Sequence, residues 1–419
     1  MVQAQNIGRP LVKVTLLLAS ALVPLGGATL APALPAIGAA FGGSANADFL
    51  TRMVLTVPAL FIALSAPFAG YVVDSFGRKR VLVVSLTVAG VAGMSCFMAF
   101  SLGFLLVGRM IVGIGVAGIM VAATTLIADY YSGDERSRLM GLQAAMMGLA
   151  GTFLFITIGY LADISWQAAF LVYVLPLVAL PLVLVVIHEP HQEFRCAENP
   201  PPTGEPGTCV GESIAGTGES ATASATDEPV PVKLIAFIYS VILLAQIAFV
   251  VVPVHLPFYM QEQTGASATQ SGIAIASMTL AFATASVFYG RVLSRQNHIT
   301  VLMIAFALFG AGYALISVGG GPAAMYLGLI VSGIGMGLVV PNLYVWLANE
   351  TPLVIRGRTL GGFTTALFLG QFLSPIISHP IRLASSIEIT ILIVGAVLLV
   401  FVPLIFVSRR QLSLLGTIH

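Results

Sequence analysis

The chain has 419 residues, of which 58% are hydrophobic and only 8% charged. A water-soluble domain carries about 25% charged residues, so a chain this apolar cannot cover its surface for water and must be solvated by lipid. The net charge of +1 excludes a nucleic-acid partner, because phosphate binding needs clustered Lys and Arg.

A membrane-crossing helix needs about 20 mostly apolar residues. The first such run, 12–36, follows Arg9 and Lys13. It is read as a span and not as a signal peptide, because the run is long and others follow closely. Further spans are predicted at 50–73, 81–100, 104–128, 138–161 and 167–187, then at 233–260, 270–290, 299–318, 324–348, 359–380 and 387–407. Sheet is excluded by the lack of ten-residue alternation and by the impossibility of open edges in hydrocarbon. The expected fold is an all-α membrane protein of twelve transmembrane helices.

Between the sixth and seventh spans, residues 188–232 are rich in Glu, Pro, Gly, Ser and Thr, with few large apolar residues after Phe194. Such a segment cannot bury a core and is expected to be a disordered cytoplasmic linker. It separates a bundle at 1–187 from a bundle at 233–408, with a cytoplasmic tail at 409–419. With the N-terminus inside, fifteen of the eighteen basic residues fall in inside segments, and only Arg52 and Arg382 fall outside. This bias predicts a multi-pass protein of the cell (inner) membrane with both termini cytoplasmic. Cys96, Cys196 and Cys209 fit neither a metal site nor a disulfide framework; Cys96 reads as a small packing residue.

The two halves repeat in one constant register: Gly70 matches Gly290, Gly108 Gly328, Gly113 Gly333 and Gly115 Gly335. Arg136, Arg138 and Gly141 match Arg356, Arg358 and Gly361 at the same offset. Two parallel six-helix repeats imply pseudo-symmetric bundles about an axis along the membrane normal, with a solute site between them.

The loop after the second span reads Gly70-Tyr-Val-Val-Asp74-Ser-Phe-Gly77-Arg78-Lys79-Arg80. Here the chain resembles the major facilitator superfamily, whose loop at this place reads Gly-x-x-x-Asp-Arg-x-Gly-Arg-Lys/Arg; Ser75 departs from it. The resemblance implies that Asp74 docks on the start of the eleventh span, near Thr359 to Gly362, and that Arg78 reaches Asp129 at the end of the fourth. A carboxylate at a helix end can pair with Arg or with the positive start of another helix, so this cluster is expected to latch one face. Its copy in the second half is degraded to Ser294, Asn297 and His298, and a weaker second gate is expected. In the first span, Leu25-Gly26 followed by Pro32 and Pro35 resembles the twelve-span drug:proton antiporter branch, and Arg109 in Gly108-Arg109-Met-Ile-Val-Gly113 resembles the family's motif of the fourth span. The resemblance links Arg109 to proton transfer; an arginine inside a span is costly and functional by default. The Gly-Pro pair typical of exporters is missing from the fifth span. Gly113-Ile-Gly115-Val-Ala-Gly118 fits a dinucleotide fingerprint in letters only, because no strand precedes it; it and Gly333-Ile-Gly-Met-Gly337 read as close helix packing.

No acid lies mid-membrane. His255 is the one span residue near the transport path that ordinarily titrates near neutrality, so coupling falls to Asp74 with Arg109, then to His255. Gln246, Asn342 and Gln371 are the uncharged polar groups deepest in spans and are the candidate solute contacts. A cavity without a central carboxylate suits neutral, lipophilic or weakly anionic solutes. With no Ser/His/Asp set, HExxH or carboxylate pair, an enzyme, a metal and a cofactor are not expected. The sequence is read as a monomeric transporter, its partners a small solute, protons and the bilayer. Proton-coupled efflux is the leading reading. Uptake symport and a non-transporting membrane sensor are the alternatives.

Overall fold

A computed structural model describes residues 2–42, 46–189, 231–290 and 296–416. The expected linker 188–232 lies outside the described residues except at its ends, as do Ser294 and the last three residues. The described residues form helices α1 (Val2–Ser20), α2 (Leu34–Ala40), α3 (Ala47–Phe76), α4 (Arg78–Ser95), α5 (Leu102–Tyr130), α6 (Gly133–Ile164) and α7 (Val174–Val186). After the linker follow α8 (Val232–Thr264), α9 (Ala268–Phe288), α10 (His298–Val318), α11 (Pro322–Glu350), α12 (Leu353–Ala384) and α13 (Ile387–Gly416). Among the described residues, eleven stretches are long and apolar enough to cross a membrane, or twelve if one bent pair counts as a single span.

That bent pair is the first span. The expected continuous helix over 12–36 is instead broken into 3-10 turns at Val23–Gly26 and Ala28–Ala33, with a 47° bend. Pro24, Pro32 and Pro35 each lack the N–H that an α-helix needs, and so disrupt the ladder. Helices also outrun the apolar windows. The span expected from 359 starts at Leu353 in α12, because a polar end leaves the hydrocarbon without ceasing to be helical. Where helices start, side chains take up free amides: Ser101 accepts from Phe104 N, and Ser267 with Gln270 forms a capping box.

The repeat holds at atomic detail. A Cβ on Gly108 would meet Cys96 and Ala92; one on Gly328 would meet Ile316 and Gly312, the repeat mates of those two. Gly113 lies on Pro58 and Phe61, and Gly333 on Met278 and Ala281. Gly115 lies on Ala89 and Ser85, and Gly335 on Phe309 and Ala305. Backbone against backbone at this range is what small residues allow in lipid, where helices associate by close packing.

The span ends define two faces. Asp48, Asp163 and Arg382 mark one, and Asp74, Asp129 and Arg356 the other. Two seams join the first six spans to the last six. Along the α6–α9 seam, a Cβ on Gly159 would lie 2.6 Å from Ala268 O, Thr152 and Thr279 hydroxyls meet at 3.2 Å, and Gly148 lies on Ala283. Farther toward the Asp74 face, a Cβ added to Gly141 would meet nothing within 4 Å. The α3–α12 seam follows suit, bridged near Asp48 while a Cβ added to Gly70, Gly357 or Gly361 would meet nothing within 4 Å. Both seams are thus closed toward the Asp48 face and parted toward the Asp74 face.

Candidate functional site

At the Asp74 face, α3 ends at Gly77 with φ of 96°, a region that residues with a Cβ rarely adopt. The turn lets α4 start at Arg78 with bare amides, and the Glu189 carboxylate accepts from Arg78 N and from Lys79 N at 3.1 Å. A Cβ on Gly77 would lie 2.6 Å from a Glu189 oxygen, so the glycine is needed twice, for backbone and for room. Arg78 Nε donates to Asp129 at 3.0 Å, and its Nη2 lies 3.5 Å from Asp74. Lys79 Nζ donates to Leu184 O at 2.8 Å. The structure brings Asp74, Arg78 and Asp129 together but does not place Asp74 on Thr359 to Gly362. Its side chain is 72% exposed, and Tyr239 lies over that stretch of α12 instead, its hydroxyl donating to Thr359 O at 2.6 Å. In the repeat copy, His298 stands where Arg78 does and is drawn inward, stacked on Trp346 with Nδ1 3.0 Å from Asn342 Oδ1.

Arg109 is fully buried and does not snorkel. Pro58 cannot donate to Val54 O four residues earlier, and Arg109 Nε takes that carbonyl at 3.0 Å. The break in the first span frees Leu25 O, which accepts from Tyr173 OH at 2.7 Å and from Arg109 Nη1 at 3.4 Å. Arg109 Nη1 also donates to Tyr173 OH. One guanidinium thus ties the first, second, fourth and sixth spans together through groups that two proline defects left open, while its Nη2 is buried without a partner.

Arg52 and Arg382, the two basic residues that the charge bias places outside, come together at Asp48. Arg52 is fully buried. Its Nη2 donates to Asp48 Oδ1 at 2.9 Å, its Nη1 to Val254 O at 3.1 Å and to His255 Nδ1 at 2.9 Å, and it lies over the Phe258 ring. Arg382 Nη1 donates to Asp48 at 3.0 Å, and His379 lies 3.5 Å from the same carboxylate. A guanidinium can only donate, so His255 Nδ1 accepts and its Nε2–H donates to Ser378 Oγ at 2.8 Å. This fixes a neutral imidazole, locked between α3 and α12. The i,i+4 spacing of Asp48 and Arg52 was the one sequence signal that could have found the cluster.

The candidate solute contacts divide. Gln246 is buried on α8 and accepts from Gln371 Nε2 of α12 at 3.5 Å, with Gln371 half-exposed. Asn342 is wholly buried, donates to His298 O at 2.9 Å and accepts from Tyr289 OH at 3.2 Å. Its amide holds α11 to α10 and to the end of α9. Gly113, Gly115, Gly333 and Gly337 sit in helix contacts. No group of three His, Cys, Asp or Glu able to hold a metal occurs among the described residues.

Twelve spans in a twofold repeat, with a charged loop at one face and seams parted toward it, define a polytopic membrane transporter. The sequence profile of the Major Facilitator Superfamily matches residues 16–375, with a second, overlapping match over 236–414, and the chain belongs to that family, whose members are transporters and not enzymes. It is 24% identical over 384 residues to the multidrug transporter protein MdtP of Bacillus subtilis, covering 80% of this chain and 68% of the relative. It is 30% identical over 138 residues to the niacin transporter NiaP of Acinetobacter baylyi, 32% of this chain. A third relative, the bacillibactin exporter of Bacillus subtilis, is 31% identical over 126 residues, 29% of this chain. The chain spans about a third of the length of those last two (31% of each). Among solved structures, the inward-open xylose transporter XylE from E. coli superposes with a TM-score of 0.71 at 14% identity, over 94% of this chain and 95% of that one.

Proposed function

We propose that the chain is a proton-coupled secondary exporter of a small lipophilic or weakly anionic solute, working as a monomer by alternating access. The Asp74 face is read as cytoplasmic, in the cell (inner) membrane with both termini inside, because fifteen of eighteen basic residues lie on that side. The single observation that carries the reading is the state of the two seams: closed toward one face and parted toward the other, as a carrier needs if its site is to open to one side at a time. Export is favoured by the match to the bacillibactin exporter over 29% of the chain and by the Leu-Gly…Pro…Pro pattern at the break of the first span. Asp74, Gly77, Arg78, Lys79 and Asp129 form the cytoplasmic gate, poised in the parted state with Asp74 free to dock on α12 when the seams close. Gly70, on the last turns of α3, faces that closure. Gln246 and Gln371 are the polar groups offered to the solute. Arg109 and His255 are the coupling candidates: the first carries an unpartnered buried N–H group, the second holds its one proton between α8 and α12.

One observation favours uptake symport instead, the absence of the Gly-Pro pair from α6. The two are separated by reconstituting the purified protein in liposomes, imposing a pH gradient and scoring flux of a panel of lipophilic compounds and small metabolites. Solute movement against the proton flow supports export; accumulation along it selects symport; no gradient-dependent flux of any solute removes both.

A further inference from the structure

We infer that Asp48 and Asp163 are two symmetry-related latches of opposite polarity, and that together they hold the Asp48 face shut. The inference deepens the alternating-access reading and rests on it, but not on the direction of transport.

The four helix ends involved are repeat mates. Asp48 stands on the first turn of α3, and its equivalent in the second repeat is Ala268 on the first turn of α9. Asp163 ends α6, and its equivalent, Leu383, neighbours Arg382 at the end of α12. Each latch therefore joins the start of one span to the end of a span in the other bundle. In the α3–α12 latch the acid is on the starting helix, and the finishing helix brings cations: Arg382 at 3.0 Å and His379 at 3.5 Å. In the α6–α9 latch the acid is on the finishing helix. The starting helix meets it with its own amides, Ala268 N at 2.7 Å and Thr269 N at 3.1 Å, together with the Thr269 hydroxyl. A helix start carries a partial positive charge and free N–H groups, so both latches set a carboxylate against positive charge across the bundle boundary.

The latches differ in how they are backed. Asp48 is braced by buried Arg52, which reaches α8 through Val254 O and His255, and His255 reaches Ser378 on α12. Asp163 is backed by shape: Gly159 and Gly272 leave no room for a Cβ against Ala268 O and Phe155 O. In both cases the seam is bridged at the carboxylate and parted several turns farther on. Neither acid belongs to the Asp74 loop, so the Asp48 face has a closing device of its own in place of a degraded copy of that loop.

Two buried hydroxyls lie one turn below the latches and are themselves repeat mates: Thr51 on α3 and Ser271 on α9, 0% and 2% exposed. In the full-length protein with Cys96, Cys196 and Cys209 replaced by serine, Thr51→Cys and Ser271→Cys serve as separate reporters. Their labelling by a membrane-impermeant maleimide is timed from the Asp48 side of proteoliposomes. Each single change, Asp48→Asn or Asp163→Asn, is expected to speed labelling about five-fold, and the pair more than ten-fold, because a partly exposed charge-assisted contact contributes only modestly alone. Asp48→Glu and Asp163→Glu should restore most of the protection, which separates release of a latch from misfolding; Asp74→Asn should not speed labelling. Unchanged labelling in the double variant, with monodisperse protein, overturns the proposal. Flux is measured in the same vesicles. Labelling that responds while no solute moves would remove the proposed function and keep the latches, and normal flux with both reporters silent would do the reverse.

Discussion

Gly77 shows how tightly single residues are specified at the Asp74 loop. Its φ of 96° and the Glu189 oxygen 2.6 Å from a would-be Cβ make separate demands. Gly77→Ala should destabilise the protein by about 1–3 kcal/mol, from backbone strain plus displacement of the carboxylate that caps α4. Thermal unfolding in detergent checks the sum, and a cycle with Glu189→Ala isolates the steric part; the backbone part should survive in the double variant. Arg109 makes a second case. Tyr173→Phe removes one of two donors to Leu25 O and should lower stability by about 1 kcal/mol with flux retained. Arg109→Lys should fail in transport, since one ammonium cannot span Val54 O, Leu25 O and Tyr173 at once; proton-driven flux by Arg109→Lys at the normal rate would contradict this. Much of the loop could be read from the sequence, because Asp74, Gly77 and Arg78 are close along the chain and their geometry is local. The Arg52 cluster could not, because its partners His255 and Arg382 come from the other half of the chain and hydropathy marks a charge at a span end as free.

Span count and order are legible from apolar runs, but the runs say nothing about what prolines leave behind inside a helix. Each proline orphans the carbonyl four residues before it, and two of those here are taken by distant side chains: Val54 O by Arg109 and Gly337 O, left by Pro341, by Ser286 Oγ at 2.8 Å. The second offers a clean test, as α9 and α11 meet there without charge. Ser286→Ala should lower stability by about 1–2 kcal/mol by stranding the carbonyl in the packed interior. Adding Pro341→Ala supplies the missing N–H within α11 and should recover most of that loss. Equal unfolding midpoints for the single and double variants would show the hydroxyl to be incidental. The first span is the element least readable beforehand: it reads as one helix by hydropathy, yet its carbonyls turn outward at Leu25, and only the arrival of Arg109 and Tyr173 from other spans makes that break tolerable.

For the molecule as a whole, the repeat is legible because matched glycines keep one register, but the sequence of a two-state carrier cannot say which face is shut. The seams can. On α6, Gly141, Gly148 and Gly159 fall on one stripe facing α9, spaced by about two and three helical turns. A Cβ on Gly159 would lie 2.6 Å from Ala268 O, one on Gly148 3.2 Å from the Ala283 methyl, and one on Gly141 would meet nothing within 4 Å. A bulky residue at the two ends of this stripe should therefore trap opposite states. Gly159→Leu cannot be accommodated against a carbonyl, so the Asp48 face should stay open and label readily at Thr51→Cys. Gly141→Leu has room now, so the present state should persist, with the Asp74 face unable to close and the same reporter protected below its normal rate. Both variants should fold and both should lose flux, the only difference being the face that remains accessible. Gly361→Leu, the repeat mate of Gly141 on α12, should behave as Gly141→Leu does, because the α3–α12 seam parts at the same depth. If Gly141→Leu and Gly159→Leu gave the same labelling pattern, the two ends of the seam would not be moving in opposition, and a rocking motion of the two bundles about their shared axis would have to be abandoned.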